Sequence, residues 1–130
     1  MAKPTEAELT IRAMQVDDVP SVFDIERDSF NDSSWTIDAF YHELNENNFA
    51  KYFVIVFENE IIGYLGLWMV IDQAQITTIA IRKDSRGYGL GQLLLKYVMD
   101  YASHSCEVMS LEVRIDNVIA QHVYTCLLYT

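Results

Sequence analysis

The chain has 130 residues, a length that fits one domain and leaves too little core for two. Hydrophobic residues make up 51% of it and charged residues 22%, a balance typical of a globular chain. The formal net charge is -10, and phosphate neutralisation needs clustered cations, so we expect no nucleic-acid partner. This acidity suits a cationic substrate, but it also serves solubility alone.

No stretch reaches the roughly 18 apolar residues of a membrane span. The first ten residues contain Lys3, Glu6 and Glu8 instead of the apolar core of a secretory signal. We therefore expect a single cytoplasmic domain over residues 1–130 that makes no contact with a membrane.

Hydrophobic periodicity predicts nine elements in the order β-α-α-β-β-β-α-β-α. The strands are Leu9–Ala13, Tyr52–Phe57, Ile61–Ile71, Gln75–Ile81 and Met109–Ile115; the helices run from about Asp18 to Ser29, from Thr36 to Asn45, after Gly91, and from Asn117. Asp17 and Asp18 are candidate N-caps of the first helix. This order predicts an α/β protein with a mixed sheet and helices on both faces.

The same periodicity predicts which helix positions face the core. They are Val22, Phe23, Ile25 and Phe30 in the first helix, Ile37, Phe40, Tyr41 and Leu44 in the second, and Leu93, Leu94, Tyr97, Val98 and Tyr101 in the third. Gly63 and Gly66, inside the third strand, indicate a bulge or a close approach of the backbone.

The segment after the Gln75–Ile81 strand carries the clearest chemical signal. It reads Arg86-Gly87-Tyr88-Gly89-Leu90-Gly91 and leads into a helix. A glycine loop at a helix N-terminus exposes backbone N–H groups to an anion such as a pyrophosphate. It lacks the Gly-Lys-Ser/Thr of a Walker A loop, and Gln92 stands where the dinucleotide fingerprint needs Gly or Ala. A tight strand-to-helix turn explains the same glycines without any ligand.

Arg86-x-x-Gly89-x-Gly91 in this context resembles the signature of the GNAT N-acetyltransferases. The segment Leu111-Glu112-Val113-Arg114-x-x-Asn117-x-x-Ala120-x-x-x-Tyr124 resembles the RimI-like branch, which acetylates the N-terminal alanine of ribosomal proteins. Glu26-x-x-Ser29-Phe30 followed by Trp35 resembles that branch as well. The resemblance extends from about Leu9 to Tyr124, and it implies a mostly antiparallel central sheet.

The resemblance also implies a role for each matching residue. The backbone of Ile79, Ala80 and Ile81 would bind the pantetheine arm of acetyl-CoA, and one of these N–H groups would polarise the thioester carbonyl. Asn117 would contact the same arm, Glu112 would act as general base through water, and Tyr124 would protonate the departing thiolate. The pyrophosphate would lie on the loop N–H groups, with these residues in the cofactor site: Arg86, Gly87, Tyr88, Gly89, Leu90, Gly91 and Gln92.

These roles agree with the chemistry of acyl transfer. An α-amino group has a pKa near 8, whereas a lysine amine has one near 10.4, so a carboxylate acting through water can deprotonate it. No metal is needed, and His42, His104 and His122 lack ligand spacing.

Simpler explanations remain for several of these residues. Glu112 fits the solvated face of a strand, Tyr124 fits a helix core, and Asn117 fits an N-cap. Phe30 and Trp35 fit the core as well as they fit a substrate wall.

The sequence departs from the family after Tyr124, where a Gly-Phe pair and two further strands would follow. We therefore expect an end that lacks the C-terminal strands and leaves Met109–Ile115 as an exposed edge open to self-association.

The resulting expectation is an acetyl-CoA-dependent transferase that acts on a basic protein N-terminus, the N-terminal alanine of a small-subunit ribosomal protein. Two alternatives remain open. One is a GNAT enzyme that acetylates lysine side chains or small amines, and the other is a non-catalytic acyl-CoA-binding module.

Overall fold

The computed structural model describes residues 8–30, 36–70, 73–103 and 108–111. The strands are β1 (Leu9–Ala13), β2 (Ala50–Phe57), β3 (Glu60–Val70), β4 (Gln73–Ile81) and β5 (Val108–Leu111), and the helices are α1 (Val19–Phe30), α2 (Ile37–Glu46) and α3 (Leu90–Ser103). This order confirms the first eight predicted elements. The predicted helix from Asn117 and the predicted strand beyond Leu111 lie outside the described residues.

The five strands form one sheet in which the spatial order is the chain order. Strands β1 to β4 pair antiparallel with their neighbours, whereas β5 is parallel to β4, from Gln73 opposite Val108 to Ile76 opposite Leu111. A parallel pair needs a crossover connection, and α3 lies within it. The predicted mixed, mostly antiparallel sheet is confirmed.

Local sequence explains how the elements begin and turn. Glu58 and Asn59 connect β2 to β3 with φ values of 52° and 65°, as a two-residue hairpin turn of the mirror-image type requires. The Thr36 hydroxyl accepts the Ala39 N–H at 3.1 Å and caps α2. Asp17 and Asp18 lie within the 3-10 turn that precedes α1, and Asp18 occupies the third position of its capping box. The cap of the 3-10 turn Val16–Asp18 is Gln15, whose N–H donates to the Asp18 carboxylate at 2.7 Å.

Helices cover both faces of the sheet, as predicted. One face, here called the α3 face, packs under α3 through a core that includes Ile55, Leu65, Ile76, Leu94 and Val98. The opposite face, here called the α1–α2 face, packs under the first two helices through a second core of Met14, Val19, Val22, Ile25, Phe40, Tyr52, Val54, Tyr64 and Ala80. The sheet therefore separates two hydrophobic cores.

Several predicted core positions are wrong. Ile37, Tyr97 and Tyr101 are 37%, 42% and 38% exposed. The two tyrosines instead make edge-to-face contacts with Phe53, with ring centroids 5.7 and 5.1 Å away. The buried stripe of α3 consists of Leu90, Leu94, Leu95, Val98 and Ala102, because that stripe faces the sheet. Phe23 is half-buried, and the Arg27 guanidinium lies 5.7 Å from its ring centroid.

The prediction for Gly63 and Gly66 is confirmed at both positions. The register between β2 and β3 shifts beside Gly63, and the register between β3 and β4 shifts beside Gly66. A Cβ on Gly66 would lie 2.3 Å from Cε1 of Tyr52, and a Cβ on Gly63 would lie 2.6 Å from Cδ1 of Ile81. Close packing against the Tyr52 ring therefore favours glycine most strongly at Gly66, whereas at Gly63 the nearest atom is the end of a flexible side chain.

Candidate functional site

The site begins at the C-terminal half of β4. Ile79, Ala80 and Ile81 are buried and pair with β3 opposite Leu65, Tyr64 and Gly63. Within the described residues, the pairing between β4 and β5 ends at Ile76 and Leu111. The strand segment implied in cofactor binding therefore begins three residues after the last described β4–β5 pair.

A bulge divides β4 at this point. Gly66 lies opposite Thr78 and Leu67 opposite Ile76, which leaves Thr77 as the extra residue. Ile76 and Ile79 both belong to the core of the α3 face, whereas Thr78 contacts Tyr64 on the α1–α2 face. The Thr77 hydroxyl donates to the Gly66 carbonyl oxygen at 3.3 Å. The bulge therefore turns two successive hydroxyls toward the helices α1 and α2.

The glycine loop forms an open cradle at the start of α3. Gly87 and Gly89 have φ values of +90° and +75°, a left-handed conformation that favours glycine. A Cβ at either position would meet nothing within 4 Å. The Leu93 N–H donates to the Gly89 carbonyl at 3.1 Å, so helix geometry leaves the N–H groups of the first turn without an intrahelical acceptor. This arrangement of N–H groups and helix dipole suits an anion.

The loop concentrates positive charge in an acidic protein. Arg82, Lys83 and Arg86 are three of its nine Lys and Arg residues. Arg82 donates to Asp84 at 2.6 Å and to Glu60 at 3.1 Å. The hydrogen bond from Arg82 is the main cause that lowers the pKa of Asp84. Arg82 is therefore partly neutralised by the two carboxylates.

Arg86 holds the loop against the rest of the domain. Its Nε donates to the Ile81 carbonyl oxygen at 2.9 Å, and its Nη2 donates to the Ser29 hydroxyl at 3.1 Å. The guanidinium therefore connects the end of β4 to α1. The side chain of Arg86 is thus directed at protein groups. Its role as a cofactor ligand stays a prediction.

A cleft of about 520 Å³ opens beside the loop, between α1 and the end of β4. Its lining combines Arg82 and Lys83 with Asp28 and Asp84, around Ile25. Opposite charges alternate there, so the cleft does not favour an anion as strongly as the α3 N-terminus does.

The structure buries two carboxylates, of which the sequence analysis named Glu26 only in a family resemblance and did not name Glu43. Glu26 is fully buried on α1, where it accepts the Tyr64 hydroxyl at 2.6 Å. Glu43 is 8% exposed on α2, where it accepts Asn47 Nδ2 at 2.6 Å, the Tyr52 hydroxyl at 3.0 Å and Trp68 Nε1 at 2.8 Å. The burial of Glu43 could have been inferred from its position. Glu43 follows Phe40 by three residues, so both side chains lie on the same face of the helix.

The surroundings of Tyr52 keep its hydroxyl protonated. Burial of the ring and the nearby Glu43 carboxylate raise the pKa of Tyr52 above that of an ordinary tyrosine. Tyr52 therefore donates its proton to Glu43 throughout the neutral range.

The remaining predicted site residues cannot be placed. Glu112, Asn117 and Tyr124 lie outside the described residues, as does Trp35. Their roles in base catalysis, cofactor contact and acid catalysis stay predictions. Within the described part of the chain, no helix is long and apolar enough to cross a membrane.

Comparison of the sequence with known protein families agrees with the fold and with the glycine cradle. The family model of the GNAT acetyltransferases matches residues 19–127. The chain belongs to the GNAT acetyltransferase family and is an acyltransferase.

Two relatives of known sequence are similar to most of the chain. A Bacillus subtilis protein, provisionally named ribosomal protein bS18-alanine N-acetyltransferase, is 44% identical over 115 residues, which is 88% of this chain and 76% of that protein. An uncharacterised N-acetyltransferase from Methanocaldococcus jannaschii is 29% identical over 119 residues, 89% of this chain and 74% of its own length.

Solved structures agree with the fold. The ribosomal-protein-S18-alanine N-acetyltransferase of Escherichia coli superimposes with a TM-score of 0.78 at 25% identity, covering 92% of this chain and 76% of that one. An aminoglycoside acetyltransferase from an uncultured soil metagenome reaches 0.76 at 18% identity, covering 93% of this chain and 88% of its own. The second similarity concerns the fold alone.

Proposed function

We propose that this protein transfers an acetyl group from acetyl-CoA to the N-terminal amine of a protein, the N-terminal alanine of a small-subunit ribosomal protein. The glycine cradle after β4 carries the proposal, because its open left-handed glycines and first-turn N–H groups fit an anionic cofactor. The acceptor rests on similarity to the Bacillus subtilis and Escherichia coli proteins.

The described residues divide the binding of acetyl-CoA between two elements. The N–H groups from Gly87 to Gln92 bind the pyrophosphate, and the positive charge of Arg82, Lys83 and Arg86 favours it further. The backbone of Ile79–Ile81 binds the pantetheine arm as an added strand would. Acetyl-CoA supplies the activated acetyl thioester.

The transfer is direct. The amine nitrogen forms the new C–N bond with the acetyl carbon, and the C–S bond breaks. A β4 N–H donates to the carbonyl oxygen as negative charge develops there. Glu112 removes the amine proton through water, and Tyr124 donates a proton to the departing sulfur. The acidic surface of the protein attracts a basic acceptor.

The first test combines calorimetry with a thiol-release assay on the same sample. We expect acetyl-CoA to bind, and a basic peptide that begins with alanine to release coenzyme A. The matched control is the same peptide with a blocked N-terminus, which keeps every side-chain charge and lysine and loses only the α-amino group. Glu112→Gln and Tyr124→Phe should each abolish most turnover while cofactor binding remains.

Other outcomes identify the alternatives. Equal turnover with the blocked peptide or with free polyamines would replace the proposed acceptor by lysine side chains or small amines. Binding without turnover on any amine, unchanged in both variants, would indicate a non-catalytic acyl-CoA-binding module. Absence of acetyl-CoA binding by the folded chain would reject the proposal.

A further inference from the structure

Two chains of hydrogen bonds cross the α1–α2 face and end at the β4 bulge. In the first, Glu26 on α1 accepts the Tyr64 hydroxyl at 2.6 Å, and Tyr64 lies 3.5 Å from the Thr78 hydroxyl. In the second, Glu43 on α2 accepts the Tyr52 hydroxyl at 3.0 Å. Tyr52 is hydrogen bonded to Thr77 in turn. Each chain therefore connects a buried glutamate, through a tyrosine, to one of two consecutive threonines.

The carboxylates fix the direction of both chains. Each tyrosine hydroxyl donates its single proton to its glutamate, Tyr64 to Glu26 and Tyr52 to Glu43. The Tyr64 oxygen is then left to accept from the Thr78 hydroxyl, whereas the Thr77 hydroxyl donates its single proton to the Gly66 carbonyl oxygen. The Thr78 hydroxyl is thereby oriented toward the helices, and the Thr77 hydroxyl connects Tyr52 to the Gly66 carbonyl oxygen of β3.

Stability alone does not explain this arrangement. Burial of a carboxylate is costly, and well-packed apolar residues of similar volume often serve stability equally well. The two chains also end on consecutive residues, Thr78 and Thr77, where the strand departs from regular pairing. A bulge lacks part of its ladder hydrogen bonds, so other contacts must set its backbone geometry.

We propose that Glu26 and Glu43 are positioning residues that hold the β4 bulge in the geometry required for acyl transfer. They act through Tyr64 and Tyr52 on Thr78 and Thr77, the two residues that precede the Ile79–Ile81 segment, which binds the thioester arm in the proposed function. This inference rests on that function. It adds that α1 and α2 control the geometry of the acyl-binding strand β4 from the α1–α2 face of the sheet.

Tyr64→Phe and Tyr52→Phe test the chains with little change in volume. Each should lower kcat by about 10- to 100-fold, while KM for acetyl-CoA and for the peptide changes by less than about threefold, because misplacement affects the transition state more than binding. Tyr97→Phe is the matched control, because this exposed tyrosine lies on the α3 face and takes part in neither chain. Its kcat should equal that of the unaltered protein.

Thr78→Val and Thr78→Ser separate the hydroxyl from the shape of the side chain. Valine should lower kcat as Tyr64→Phe does, and serine, which keeps the hydroxyl, should restore it. Amide hydrogen exchange of residues 77–79 should rise by about tenfold in Thr78→Val, while the β2 amides exchange as before. Unchanged kcat in both tyrosine variants would overturn the inference.

The exchange measurement keeps this inference separate from the proposed function. A chain that releases no coenzyme A with any amine would refute the function. Equal exchange of residues 77–79 in Thr78→Val and the unaltered protein would overturn the bracing of the bulge, with or without turnover.

Discussion

The contact between Gly66 and Tyr52 allows a quantitative test of the packing beneath α2. A Cβ added to Gly66 would lie 2.3, 2.8 and 2.9 Å from three ring atoms of Tyr52. The ring is buried, and its hydroxyl is bonded to Glu43, so it has little freedom to move aside. We therefore expect Gly66→Ala to displace the ring and to strain the Glu43 contact.

The size of the effect follows from two opposing contributions. Overpacking of a buried site costs about 1–3 kcal/mol. Replacing glycine by alanine in a strand returns about 0.5–1 kcal/mol through the lower entropy of the unfolded chain. The close contact with three ring atoms places the cost at the upper end, so the net loss should be about 2 kcal/mol. For a chain of this length that corresponds to a fall in Tm of roughly 7 °C.

A double-mutant cycle isolates the contact. Tyr52→Leu removes the ring and by itself should cost about 3 kcal/mol, through lost burial and a missing donor to Glu43. In that background Gly66→Ala should be neutral or slightly stabilising. Urea unfolding of the four proteins gives the coupling energy, expected near 2 kcal/mol. Free energies that add within about 0.5 kcal/mol would refute the steric argument.

Three further predictions concern the loop and the start of α1. Gly89→Ala should weaken acetyl-CoA binding in calorimetry by about tenfold, because a left-handed conformation costs alanine about 1–2 kcal/mol. Asparagine tolerates the left-handed conformation better, so Gly89→Asn should lose less affinity for acetyl-CoA. Arg86→Lys should lower the free energy of unfolding by about 1–2 kcal/mol in urea, since a lysine cannot bond both Ser29 and the end of β4. The Arg12 hydrogen bond lowers the pKa of Asp18 below its usual 3.8, so its stabilisation is present above that pH and is lost as the pH falls through the lowered value. Asp18→Asn should therefore cost about 0.5–1 kcal/mol at pH 7, and progressively less as the pH falls below 3.8. An equal cost at pH 7 and below pH 3.8 would contradict the linkage.

Much of the site could be predicted because its signals are local. The cradle needs glycine at positions with positive φ, and Gly87 and Gly89 are visible in the sequence as such. The order of the first eight elements and the bounds of β1 were also predicted correctly, because hydrophobic period and turn residues depend on near neighbours. The role of Arg86 was not predictable, because its acceptors lie on β4 and on α1, 57 residues away at Ser29.

The sequence by itself determined the family, the elements and the glycine loop. Only the tertiary structure decided which polar side chains are buried. Glu26 receives its proton donor from Tyr64, 38 residues along the chain, and Glu43 receives one from Trp68, 25 residues along. Helical periodicity identifies a face, but the donors that make burial of a carboxylate tolerable come from other strands. The same reason explains Tyr97 and Tyr101, whose exposure depends on where α3 crosses the sheet.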